Sequence, residues 1–186
     1  MARAPSSLIP TAGTSRTRTR DAWEVPLAVR PQAMTLYIRF VELLPTTWTR
    51  TQPILQVGAS AATTDPRLYL RRLIGTSSYQ LVYSNAITSA AVTIDLSPSL
   101  HDSIELCGQF SATGTLVLIG SKNGGTLTTS SASSAIAVVT AFAGAVLTIG
   151  GTNSVNDSAM AVRNIVVMRG VLGLNAMRQK AGIATI

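Results

Sequence analysis

Apolar and polar residues alternate along most of this chain with a period of two, the spacing of strands that bury one face. The clearest run is Met34–Glu42 (MTLYIRFVE), which puts Leu36, Ile38 and Phe40 on an inward face and Tyr37, Arg39 and Val41 on an outward one. Arg67–Ile74 (RLYLRRLI) repeats the pattern, with Leu68 and Leu70 on one side and Arg67, Tyr69 and Arg71 on the other. Trp23–Val29, Ile54–Val57, Tyr79–Tyr83, Ala91–Leu96, Ser103–Ala112 and Leu116–Gly120 also read as strands. Thr126–Thr129, Ala135–Thr140, Val146–Ile149 and Val162–Met168 complete the series.

Breakers separate these runs: Arg30-Pro31, Gly58 and Gly150-Gly151. Lys122-Asn123-Gly124-Gly125 is the strongest hairpin turn, because Asn-Gly and Gly-Gly favour positive φ. One segment has a helical period instead. Within Gly173–Gly182, Leu174, Met177 and Ala181 fall at i, i+3 and i+7, which predicts a short helix with one apolar face and Gly182 as its stop. Many short strands with almost no helical period predict an all-β chain, a two-sheet antiparallel β-sandwich or jelly roll. The divisions are an extended basic arm over 1–22, the sandwich over 23–172, and a C-terminal helix and tail over 173–186.

The 186 residues suffice for one domain with a sizeable core. Only 12% are charged, so Ser, Thr, Asn and Gly, or neighbouring subunits, must cover much of the surface. The net charge is +7, and the arm supplies Arg3, Arg16, Arg18 and Arg20 with no acid. In an extended Ser15–Arg20, Arg16, Arg18 and Arg20 share one edge, a fork of guanidiniums suited to carboxylate or phosphate partners. The longest apolar stretch, Ala135–Ile149, is too short to span a bilayer and is rich in strand formers. No secretory leader is evident, so neither membrane nor secretion is expected. The one cysteine, Cys107, excludes an intrachain disulfide framework and reads as a half-buried, inert thiol opposite Leu106.

Catalytic constellations are lacking. The acids form no E-x-D-x-x-E array, and Asp102 and Glu105 point to opposite faces if their segment is a strand. His101, the only histidine, follows the turn-forming Ser97-Pro98-Ser99 and reads as an exposed loop residue with no nucleophile motif beside it. No enzyme, cofactor or metal is expected. The glycines form no phosphate loop, and the basic residues give no sequence-specific nucleic-acid reader. Thr126–Ser134 and Asn153–Ser158 read as polar loops of the kind that bind sugars, with Asn153, Asn156 and Asp157 as candidate contacts, although neither contains an aromatic.

Pro31-Gln32-Ala33-Met34-Thr35-Leu36-Tyr37-Ile38-Arg39-Phe40-Val41-Glu42 resembles the opening strand of concanavalin A-like (laminin-G-like) sandwich domains in tailed-phage structural proteins. Ile54–Gly58, Pro66–Leu68, Ser121–Gly125, Leu147–Gly150, Val166–Gly170 and Met177-Arg178 follow in the matching order, over about residues 22–182. The resemblance implies two curved antiparallel sheets and a non-enzymatic virion protein assembled in the host cytoplasm. Its leading form is a head decoration or cement protein bound to the major capsid protein or other virion subunits, as a homo-oligomer on the particle. The alternative is a tail-associated or head-displayed adhesin that binds surface glycans. Arg16, Arg18 and Arg20 are the expected arm contacts, and Leu174, Met177 and Arg178 a second, C-terminal contact.

Overall fold

The computed structural model describes residues 23–26, 33–43, 51–58, 67–73, 75–84, 89–133, 146–150 and 160–183. Among them run eleven strands and one helix. The first six strands are β1 (Trp23–Pro26), β2 (Met34–Glu42), β3 (Gln52–Gly58), β4 (Arg67–Arg72), β5 (Ser78–Ser84) and β6 (Ser89–Asp95). The rest are β7 (Ser103–Phe110), β8 (Thr115–Lys122), β9 (Thr128–Ser133), β10 (Val146–Ile149) and β11 (Met160–Arg169), followed by α1 (Leu174–Lys180). They form a six-stranded sheet, β1-β10-β3-β4-β5-β6, and a five-stranded sheet, β11-β2-β7-β8-β9, in which the paired strands run antiparallel. The molecule is the antiparallel sandwich that the alternation predicts.

The sheets face one another across the residues that alternation placed inward. Met34, Leu36, Ile38 and Phe40 of β2 meet Leu68 and Leu70 of β4 and Tyr79, Leu81 and Tyr83 of β5 in one buried cluster. Tyr83 stacks on Phe110, with centroids 4.7 Å apart, and Phe40 meets Tyr79 edge-on at 6.1 Å. Gly120 occupies a core-facing position of β8. A Cβ there would lie 2.6 Å from Ile94 Cδ1, so the glycine makes room for β6 side chains.

One end of this core is closed by ionic groups. Glu42, the last inward residue of β2, is fully buried; its Oε2 lies 3.1 Å from Arg72 Nη1 and accepts a 2.9 Å hydrogen bond from Tyr79 OH. Backbone bonds link Glu42 to His101 and Asp102, and His101 is exposed with φ 71°.

Several expectations are corrected. Tyr37 points away from the inter-sheet core as alternation predicts, yet it is fully buried, because α1 covers it. Cys107 is fully rather than half buried, for the same reason. Thr128–Ser133, read mostly as a polar loop, is an edge strand: backbone pairing with β8 needs no apolar side chains. The strand expected over Ala135–Thr140 lies outside the described residues. No described helix is long and apolar enough to cross a membrane.

Candidate functional site

The outer face of the five-stranded sheet carries a polar row set by strand register. Asn164 of β11 pairs with Arg39 of β2, Arg39 with Glu105 of β7, and Glu105 with Ser121 of β8. A bulge between Val162 and Asn164 brings Asn164 into line. The next row is apolar, with Val166, Tyr37, Cys107 and Ile119 under Leu174 and Met177 of α1. Strand alternation plus a helical i, i+3 pair therefore makes a second, small hydrophobic cluster on the outside of the sandwich.

The helix is fastened at both ends. Thr35 Oγ1 donates to the Gly170 carbonyl and accepts from the Leu172 N–H, both at 2.9 Å, and Gln109 Nε2 donates to the Leu172 carbonyl at 2.7 Å. Asn164 Nδ2 donates to the Ala181 carbonyl at 3.2 Å. Gly182, at φ 71°, ends the helix as expected.

Between α1 and the β8–β9 turn lies a cleft of about 200 Å³ lined by Arg39, Ser103, Glu105, Ser121, Arg178 and Ile183, with Gly124, Gly125 and Leu127 on the turn side. Asn123 and Gly124 have φ of 54° and 71°, the paired left-handed geometry that Asn-Gly supplies. Asn123 also pins the turn to the start of β7, donating to Asp102 Oδ1 at 2.7 Å and accepting from the Ser103 N–H at 2.8 Å. The Ser99 N–H and the Asn123 amide hold the Asp102 carboxyl below its ordinary range.

Glu105 is the hub of the cleft. Its Oε1 accepts from Tyr37 OH at 2.7 Å and Arg178 Nε at 2.8 Å, while its Oε2 accepts from Ser121 Oγ at 3.1 Å and from Arg178 Nη2. Burial alone would raise its pKa, but hydrogen bonds from Arg178 and Tyr37 and the Arg178 charge outweigh that and hold it low. Tyr37 is pushed well up, by burial first and then by Glu105. Burial, followed by the Glu105 charge, pushes the Cys107 thiol up to about 12.

The C-terminal residues thus come together with the site. Leu174 and Met177 pack against Tyr37 and Cys107, and Arg178 binds Glu105, so these side chains are engaged within the chain. Arg16, Arg18 and Arg20 of the arm, and Asn153, Asn156 and Asp157, lie outside the described residues. Sequence reasoning missed Arg39, Ser103, Glu105 and Ser121. The signal was present as polar residues on the outward positions of otherwise apolar strands.

The opposite outer face carries a different arrangement. Arg67 and Arg71 of β4 bracket Tyr69, with guanidinium carbons 5.3 and 5.5 Å from the ring centroid, and Arg71 donates to Gln80. No group of three or more His, Cys, Asp or Glu side chains among the described residues could hold a metal.

These features define a jelly-roll sandwich with a small polar cleft on one outer face. No protein-family model and no curated protein sequence matches the chain. Solved structures do match in fold. The CBM40 module of a Ruminococcus gnavus IT-sialidase, bound to α2,3 sialyllactose, aligns at TM-score 0.59 and 15% identity over 82% of this chain and 84% of its own. The enzymatically active domain of bacteriophage CBA120 tailspike protein 2 aligns at TM-score 0.63 and 15% identity over 83% of this chain, which spans only 25% of that one. A heptameric SAP-like pentraxin of Limulus polyphemus aligns at TM-score 0.55 and 14% identity over 81% of this chain and 70% of its own.

Proposed function

We propose that this chain is a non-enzymatic carbohydrate-binding module serving attachment, and that the cleft beside α1 is its sugar site. The observation that carries the reading is the cleft itself: a rigid strand floor, a fastened helix wall and a pinned turn present fixed guanidinium and hydroxyl groups beside exposed Leu127. Its volume falls below the ~300–1,000 Å³ typical of pockets that enclose drug-sized ligands, which suits one sugar unit at the end of a chain. The sugar-binding module among the fold neighbours supports the reading, and the tailspike domain supports display on a phage tail.

Glu105 supports binding over hydrolysis. Glycoside cleavage uses a pair of carboxylates; among the described residues Glu105 is the only acidic one lining the cleft, and both its oxygens are occupied by donors. A glycan array on the purified full chain tests the proposal, with Arg39→Ala in parallel. Saturable hits that Arg39→Ala loses are expected. A silent array would sink the sugar reading and shift the function to subunit assembly through Arg16, Arg18 and Arg20, for which deletion of residues 1–20 should abolish particle binding.

A further inference from the structure

We infer that the cleft selects an acidic sugar unit, one bearing a carboxylate or sulfate, and that Arg39 receives the anion. The inference rests on the sugar-binding reading and deepens it. It follows from which hydrogen-bonding valences in the cleft are used and which are open. An ionised carboxylate offers about four lone-pair sites. The four donors on Glu105 come from Tyr37, Ser121 and two nitrogens of Arg178, so this acceptor is filled. Among the described residues no other side-chain carboxylate or amide oxygen lines the cleft.

Donors, in contrast, remain open. Arg39 is half-buried, and among the described residues its one hydrogen bond runs from Nε to Ser103 Oγ at a long 3.5 Å. Its two terminal nitrogens, the edge that forms forked bonds to an oxyanion, are therefore available. Arg178 neutralises Glu105, so the charges lining the cleft, Arg39 and Arg178 against Glu105, leave one net positive charge, carried by Arg39. Beyond the rim, Lys122 and Asp102 offset each other. A neutral sugar would leave a half-buried guanidinium with poor partners, whereas an oxyanion satisfies both the fork and the charge. The Ser103 hydroxyl and the apolar edges of Leu127 and Ile183 suit the rest of a pyranose ring.

The test is titration of the full chain, by calorimetry or by nuclear magnetic resonance, with matched probes. These are galactose against galacturonic acid and galactose 6-sulfate, N-acetylneuraminic acid, and inorganic sulfate alone. Acidic sugars should bind at least tenfold tighter than galactose, with the preferred acid identifying carboxylate or sulfate. The advantage should shrink as salt rises, vanish in Arg39→Gln and return in part in Arg39→Lys, both variants melting as the parent does. Equal or tighter binding of galactose would overturn the inference and leave the sugar reading standing. Unchanged acid binding in Arg39→Gln would overturn the role of Arg39. Sulfate alone binding as tightly as its sugar ester would mean a bare anion site and overturn sugar selection. Binding of none of the probes would remove the sugar reading with it.

Discussion

Two carboxylates in this sandwich have the same kinds of partner and opposite settings. Glu42 faces inward between the sheets and meets Tyr79 and Arg72 at 0% and 4% side-chain exposure for the ion pair. Glu105 faces outward and meets Tyr37 and Arg178, with 10% exposure for its own side chain and 17% for that of Arg178. The first cluster joins three strands of the two sheets, while the second ties a strand to the C-terminal helix. A buried charge is tolerated only with its partners in place, so the inner cluster acts as an all-or-none seal. The outer one is reached by water and fastens the helix wall of the cleft without sealing a core.

The sharpest way to break the comparison is to remove each carboxylate. Glu42→Ala removes the buried carboxylate that both Arg72 and Tyr79 bind and should cost about 3–5 kcal/mol in denaturant unfolding. Replacing Glu42 and Arg72 together by leucines should recover most of that loss, because a buried pair contributes little over well-packed apolar groups. A small effect of Glu42→Ala would mean that the inner cluster is as relaxed as the outer.

Glu105→Ala should cost less, about 1–3 kcal/mol, because water can reach Arg178. Its more telling effect is local. Cys107 lies beneath Leu174 and Met177, and its thiol resists ionisation, so a thiol reagent should label the parent chain slowly. In Glu105→Ala the helix opens more often, and labelling should accelerate at least tenfold while global stability falls modestly. In Glu42→Ala, by contrast, labelling should follow global unfolding. Unchanged labelling in Glu105→Ala would show that the apolar contacts of α1 alone hold the wall.

This division of labour was only partly legible in the sequence. Met34–Glu42 and Val146–Ile149 form with the bounds their alternation predicts, and Asn123-Gly124 makes the turn its chemistry favours. These are local signals carried by period and by φ preference. The cleft is not local. Arg39, Glu105 and Ser121 become neighbours only through the register of three strands, and a one-residue slip would separate them. Tyr37 looked exposed because period two assigns a face and is silent on what covers that face. The helix covering it was foreseen from its spacing, but its docking place depends on Thr35 and Gln109, far from it in sequence, and on Asn164 of the preceding strand.

The mildest probe of the comparison is pH. The folded pKa of Glu105 lies below its ordinary value, so the unfolded chain holds that proton more tightly. Its contribution is complete above the ordinary carboxylate range and is lost as pH falls through the folded value. Tyr37 runs the other way: its folded pKa is raised, so its contribution is complete below the ordinary phenol value and is lost as pH rises toward the folded one. Labelling of Cys107 by a reagent insensitive to pH should therefore be slowest across the neutral range and quicken in acid before the sandwich unfolds. In Glu105→Gln the acid limb should flatten, since no carboxylate remains there to protonate. An acid limb of unchanged steepness in Glu105→Gln would place the sensitive group elsewhere and separate the helix wall from the Glu105 fastening.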